Sequence, residues 1–316
     1  MSELSAARRA QVRLLSAQTL RWVAPALYTA ALSGYMWREG IPVGRERLIV
    51  WIVLGLLALS TTNLAGWMRS VMFEWLPFVL LLAVYDLLRG RADGLFFSTW
   101  YRPQLEADSV LFGGNVPTVW LQDRLWHGPS AVRWYDYATW AVYMSYFVAT
   151  YLLAGFLWFF ARARFRRYVG CVVLLAGMAF TTFALFPAAP PWLASREGEL
   201  ESTTRMIGPI SGHIPFLSFS FEGLYERGAE YSNPVAAVPS LHAAYTLLFT
   251  LFLWRFARWA RPLLALYPLA MAFALVYAAE HYVSDILLGW AYTLIAVWVV
   301  GRLADRYGVR GTVSDP

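Results

Sequence analysis

Eight apolar runs, at about 20–37, 48–66, 71–89, 138–160, 168–187, 239–256, 263–279 and 283–300, approach or reach membrane-crossing length. A helix needs roughly 17–25 apolar residues to cover the hydrocarbon layer. Only helices and closed barrels satisfy their own backbone polarity there. Pro25, Pro77 and Pro268 fall inside runs, which membrane helices tolerate. Composition agrees: 59% of the 316 residues are hydrophobic and only 15% are charged, against about 25% charged in soluble domains. A soluble globule is thereby excluded. The expected fold class is an all-α polytopic membrane protein with about eight transmembrane helices. No cleavable signal peptide is expected, because the first apolar run is long enough to span. Cys171 has no second cysteine to pair with.

The charge pattern orients the runs. All 26 basic residues are arginine, and the formal charge of +6 could point to nucleic acid. Placing the arginines favours membrane topology instead. With the N-terminus inside, the short inner segments hold Arg8, Arg9, Arg13, Arg21, Arg69, Arg162, Arg164, Arg166, Arg167, Arg255, Arg258, Arg261, Arg302, Arg306 and Arg310. Acidic residues divide the other way, with only Glu3, Glu74, Asp305 and Asp315 inside. The positive-inside rule then predicts a multi-pass cell-membrane protein with both termini cytoplasmic. Residues 1–70 read as an N-terminal tail and an added hairpin, 71–300 as the core, and 301–316 as a cytoplasmic tail. Within the core, 90–137 reads as an outer interfacial segment, rich in Trp and Tyr suited to the headgroup layer. Residues 188–237 read as an outer cap loop, and loops of that length usually carry function or are disordered.

This orientation brings two histidines to one face. His242 opens the sixth run in Asn233-Pro-Val-Ala-Ala-Val-Pro-Ser240-Leu-His242, and His281 precedes the eighth in Glu280-His281-Tyr282-Val-Ser-Asp285. Both helices start on the outer side. Asp285 follows His281 by four residues, so a helix carries both on one side. An imidazole nitrogen can attack phosphorus without first losing a proton, forming a covalent intermediate. Asp285 can accept a hydrogen bond from the other ring nitrogen, fixing the tautomer and stabilising the charge that develops. His242 can protonate the departing alkoxide and then deprotonate the incoming hydroxyl or water. The start of its helix offers backbone N–H groups to phosphate oxygens, with Ser240 as a further donor or as the helix cap.

These residues carry a resemblance. Pro239-Ser-Leu-His242 followed by His281-Tyr-Val-Ser-Asp285 resembles the type 2 phosphatidic acid phosphatase superfamily. The longer Asn233…His242 stretch, the His-Tyr-x-x-Asp form and Phe186-Pro-Ala-Ala-Pro-Pro-Trp192 resemble most its inositolphosphotransferase branch, which includes inositol phosphorylceramide synthase. The resemblance runs from about Asp136 to Trp298. It implies a six-helix core, His281 as the nucleophile that becomes phosphohistidine, Asp285 as its orienting carboxylate and His242 as general acid and base. It implies Ser240 at a phosphate-contacting position, no metal and no cofactor. Asn233 and Tyr282 lie within the motifs and join Ser240 and Arg205 as candidate substrate-binding residues.

The departures bear on the substrate. Phosphatases of the superfamily carry a Lys-x6-Arg-Pro motif, and this chain has no lysine. They also carry a Ser-Arg pair shortly before the nucleophilic histidine, where this chain has Ala274 and Leu275. A dianionic phosphate would lack its usual guanidinium clamp. The phosphotransferase branch lacks these motifs too, so the absence favours diester chemistry, with Arg102, Arg196, Arg205 and Arg227 as outer-face sources of positive charge. The expected activity is phosphotransfer from a lipid donor, a phospholipid or a polyprenyl phosphate, to a hydroxyl acceptor at the extracytoplasmic face. The alternative is a lipid or polyprenyl phosphate phosphatase using water. A transporter or scaffold would carry an internal repeat or paired discontinuous helices, and the sequence has neither signal.

Overall fold

The computed structural model describes residues 22–39, 45–59, 66, 69–89, 97–214 and 233–307. Helices account for most of it. The chain divides into two units, Met1–Val79 and Leu80–Pro316. In the first, α1 (22–39) and α2 (Arg45–Leu59) lie side by side. Tyr28 packs over Gly55, and Tyr28 and Tyr35 both meet the Trp51 ring. A π-helical turn, Val71–Trp75, then leads into α3 (Leu76–Arg89).

The second unit holds the histidine motifs. Two short helices, α4 (Arg102–Leu111) and α5 (Pro117–Leu125), each begin with a proline in the first turn, where its missing N–H costs nothing. They precede the long helices α6 (Trp134–Phe160) and α7 (Arg162–Leu185). Short α8 (Pro191–Arg196) and α9 (Ile207–Ser211) follow. The chain closes with α10 (Leu241–Leu253), α11 (Arg261–Tyr277) and α12 (Val283–Arg306). Helix α10 packs against α6, α7, α11 and α12, so it sits enclosed among them.

Hydroxyls tie these helices together, as small polar groups do where apolar attraction between helices is weak. Ser145 Oγ on α6 lies 2.7 Å from the Tyr267 hydroxyl on α11. Thr182 Oγ1 on α7 lies 2.9 Å from the Tyr292 hydroxyl on α12. Pro268 cannot donate to the carbonyl of Leu264 one turn back. The Thr250 hydroxyl of α10 donates to that carbonyl instead, at 2.9 Å.

The expectation of about eight transmembrane helices, six of them in the core, is overturned. Among the described residues four helices are long and apolar enough to cross a membrane: Trp134–Phe160, Arg162–Leu185, Arg258–Tyr277 and Val283–Arg306. Ile49–Ala58, Val71–Leu82 and Leu241–Leu253 are shorter apolar helices. The sixth run shows why hydropathy overcounts. Residues 239 and 240 stay outside the helix, which starts at Leu241 and stops at Leu253. Thirteen helical residues rise only about 20 Å at 1.5 Å each, short of a hydrocarbon layer about 30 Å thick. The apolar side chains of α10 pack largely against the neighbouring helices.

The four long helices make this a multi-pass membrane protein. Leu152, Phe156, Leu263, Leu266, Leu294 and Trp298 project from them as exposed apolar side chains. Their arginines gather at one end of the bundle. The Arg164 guanidinium covers the Phe256 ring at 4.3 Å, and Arg167 pairs with Asp305 at 3.4 Å. That end holds the α6–α7 junction, the end of α10 and the end of α12. The starts of α10 and α12, where His242 and His281 lie, are therefore at the other end.

Candidate active site

Two contacts to one carboxylate oxygen mark the start of α12. Asp285, at its third position, accepts the Tyr282 N–H through Oδ2 at 3.0 Å. The same oxygen lies 3.3 Å from His281 Nδ1. His281 and Asp285 are both buried, Asp285 completely. The chain approaches this point from α11 through Ala278 and Ala279. Ala279 adopts a left-handed backbone, φ 62°, a conformation usually left to glycine after a helix end. Two neighbouring segments hold this turn: the Trp192 N–H donates to the Ala279 carbonyl at 3.1 Å and the Met206 N–H to the Ala278 carbonyl at 3.4 Å.

The His242 loop is fastened to the same helix. Phe186–Ala189 runs extended between Trp100 and Val235–Ala237, with short parallel bridges on both sides. Ala188 N–H donates to Val235 O at 2.7 Å, and Ala237 N–H donates back to Ala188 O at 3.3 Å. Asn233 Oδ1 closes the turn that starts this loop by accepting the Val235 N–H at 2.8 Å. Ser240 caps α10, its Oγ accepting the Ala243 N–H at 3.3 Å, and its own N–H donates to the Asp285 carbonyl at 3.0 Å. Gly289 lets this contact happen: a Cβ there would collide with the Ser240 carbonyl. One turn further, the Thr293 hydroxyl donates to the Ala244 carbonyl at 2.9 Å. Asp285, Gly289 and Thr293 thus form one face of α12, against which the start of α10 docks.

That docking brings the histidines together. The His242 and His281 ring centroids are 5.6 Å apart, with planes at 60°. On its other side His242 rests on α6, stacked on Tyr143 at 4.9 Å and tilted against Tyr146 at 4.1 Å. Aromatic contact on that side and His281 on the other leave the His242 ring little freedom to turn.

The predicted trio therefore assembles at one point, though 39 residues separate the histidines in sequence. The other candidates occupy different positions. Ser240, Asn233 and Tyr282 are buried framework residues whose visible bonds hold the backbone around the histidines. Burial pushes the Tyr282 hydroxyl above its ordinary range, and the nearby Asp285 and Asp108 carboxylates push it further. Arg205 is clamped to Glu280 by two bonds, Nε to Oε1 at 2.8 Å and Nη2 to Oε2 at 3.2 Å, with its guanidinium over Trp192 at 4.6 Å. Arg102 pairs with Glu199 and Arg196 with Glu197. Arg227 lies outside the described residues, as do residues 215–232 of the expected cap loop. Among the described residues no group of three or more His, Cys, Asp or Glu is placed to hold a metal ion.

Sequence reasoning missed several supports. Gly289 and Thr293 continue the helical spacing from Asp285, and that small-residue stripe was the available signal. Gln122 on α5 donates to the Thr204 carbonyl at 2.9 Å and the Tyr277 carbonyl at 2.8 Å, and accepts the Thr204 N–H at 2.8 Å. Asp108 on α4 is fully buried, and its two oxygens accept the N–H groups of Val283 at 2.8 Å and Ser284 at 2.9 Å. Burial holds its carboxyl above the usual carboxylate range, opposed by the bonds from Ser284 and Val283. No local pattern marks these long-range contacts.

The sequence pattern of the PAP2 superfamily matches residues 118–299. The chain belongs to the PAP2 superfamily. The match covers both histidine motifs, all of α10 and most of α12. Similar proteins include a phosphoinositol dihydroceramide synthase of Bacteroides thetaiotaomicron, 30% identical over 50% of this chain and 52% of that protein. The catalytic subunit of inositol phosphorylceramide synthase, aur1, of Schizosaccharomyces pombe is 26% identical over 62% of this chain and 46% of that protein. The chain spans about half the length of the curated relatives it matches. No solved structure matches it. Membership assigns the protein to the membrane-associated phosphatase and transferase chemistry of the superfamily.

Proposed function

We propose that the protein is a lipid phosphotransferase that moves a phosphoinositol-type headgroup from a phospholipid to the hydroxyl of a ceramide-type acceptor through a phosphohistidine. The observation that carries this reading is the His281–Asp285 couple facing His242 across 5.6 Å. His281 Nδ1 faces Asp285, so Nε2 is the nitrogen directed at phosphorus. In the first half-reaction the Nε2 lone pair forms the P–N bond, the P–O bond to the diacylglycerol breaks, and His242 gives its proton to the departing alkoxide. In the second, His242 takes the proton of the acceptor hydroxyl, whose oxygen attacks phosphorus. The P–N bond breaks and His281 regains its lone pair. Asp285 stays ionised throughout and stabilises the imidazolium-like intermediate. The positive-inside rule supports a cytoplasmic basic end and a site at the extracytoplasmic face.

The names of the two relatives support the headgroup and acceptor. The missing arginines at the superfamily's usual phosphate clamp support a diester. Of the four arginines named as outer-face sources of positive charge, the three among the described residues, Arg102, Arg196 and Arg205, are already paired with Glu199, Glu197 and Glu280, which fits a singly charged phosphodiester better than a dianion.

The test is transfer of labelled inositol from an inositol phospholipid to a short-chain ceramide in detergent micelles. Wild type is expected to form a labelled sphingolipid, and His281→Ala to form none and to lose acid-labile protein-bound phosphate. His242→Ala is expected to slow both half-reactions. Full activity in His281→Ala would refute the mechanism. Release of free inositol phosphate in place of the sphingolipid would identify water as acceptor.

A further inference from the structure

We infer that Asp108 is a positioning residue for the transfer reaction: its carboxylate holds the first turn of α12 and thereby sets Asp285 against His281. The kinetic part rests on the proposed transferase reading; the structural part does not.

The first N–H groups of any helix lack partners within it. A Ser, Thr, Asp or Asn at the N-cap usually accepts one of them. In α12 the N-cap is Tyr282, whose side chain makes no capping bond. The three leading donors are taken by two carboxylates. Tyr282 N–H goes to Asp285 Oδ2, Val283 N–H to Asp108 Oδ2 and Ser284 N–H to Asp108 Oδ1. Asp108 thus supplies from 175 residues away the cap that the local sequence lacks. Using one oxygen per donor fixes both the position and the tilt of the first turn. A carboxylate at this end also meets the positive pole of the helix.

Asp285 Oδ2 is the shared point. It accepts the Tyr282 N–H and lies 3.3 Å from His281 Nδ1. That contact is already long for a hydrogen bond to a charged group. Any fraying of the first turn moves this oxygen away from the ring and releases the tautomer. Asp108 touches neither imidazole in any bond described and lies before the matched segment, which starts at residue 118. It acts through α12.

The test uses the full chain in detergent micelles, with nitrogen-labelled histidine. The four histidines make the imidazole spectrum assignable by single substitutions. Wild type is expected to show His281 as one tautomer with the proton on Nδ1. Asp108→Ala is expected to show averaged tautomers at His281, with His127 and His213 unchanged. Asp108→Asn keeps one acceptor oxygen and is expected to fall between. In the transfer assay kcat is expected to drop by about 10- to 100-fold in Asp108→Ala, with KM nearly unchanged. A wild-type His281 spectrum in folded Asp108→Ala overturns the inference. Should that variant fail to fold, a wild-type spectrum and kcat in Asp108→Asn overturn it equally. If wild type transfers no headgroup to the ceramide, the reaction reading fails, and the spectra alone decide the role of Asp108.

Discussion

Replacing Gly289 with alanine tests the contact on which the two-histidine geometry depends. A Cβ at this position would run into the Ser240 carbonyl oxygen, with the carbonyl carbon at 3.3 Å and the amide nitrogen at 3.5 Å. The obstacle is backbone, so no side chain can swing aside. The Ser240 loop must retreat by something on the order of 1 Å to reach ordinary carbon–oxygen contact. His242 follows Ser240 by two residues and moves with it, whereas His281 stays with α12. A shift of about 1 Å between reacting groups can cost 10²-fold in rate. Overpacking of this kind also destabilises by about 1–3 kcal/mol. Gly289→Ala is therefore expected to lower kcat about 100-fold and to reduce the melting temperature in detergent. Gly301→Ala on the same helix is the control, because nothing lies within 4 Å of its added Cβ. There alanine is expected to leave kcat unchanged and to stabilise by up to about 1 kcal/mol, the helical preference of alanine over glycine. Equal kcat and melting in the two variants would refute the close-approach argument.

Two further predictions concern the surrounding frame. Arg205→Gln leaves Glu280 buried without its bidentate partner, and breaking such pairs costs about 3–5 kcal/mol; a large fall in melting temperature is expected, with partial recovery in Arg205→Gln/Glu280→Gln, and full stability in the single variant would argue against the pair. Gln122→Leu removes three hydrogen bonds to Thr204 and Tyr277. At about 1 kcal/mol each, a loss near 3 kcal/mol is expected, read as faster hydrogen exchange at Thr204 and a lower melting temperature; wild-type exchange would remove Gln122 from the frame.

Local spacing was enough to single out the candidate site. His281 and Asp285 are four apart and do meet, but not within one helix as the spacing suggested: His281 precedes the extended N-cap Tyr282, and Asp285 reaches back to it from the first turn of α12. The membrane character was equally legible, because apolar length and arginine placement are properties of short segments. The count of spans was not. Leu241–Leu253 is as apolar as a membrane helix, yet it is short and enclosed by α6, α7, α11 and α12. Hydropathy cannot separate burial against protein from burial in lipid. Arg205 shows the complementary limit. Its charge suggested a phosphate ligand, but the guanidinium is held by Glu280, a partner 75 residues away.

The amino-acid sequence by itself determined the class of the molecule, the candidate site residues and the nearness of His281 to Asp285. These follow from composition and from contacts within a few residues. Only the tertiary structure decided that His242 meets His281, that Gly289 admits the Ser240 backbone and that Asp108 and Gln122 fasten the surrounding turns. Such contacts depend on how separate helices dock, and the residues making them are ordinary until their distant partners are in place.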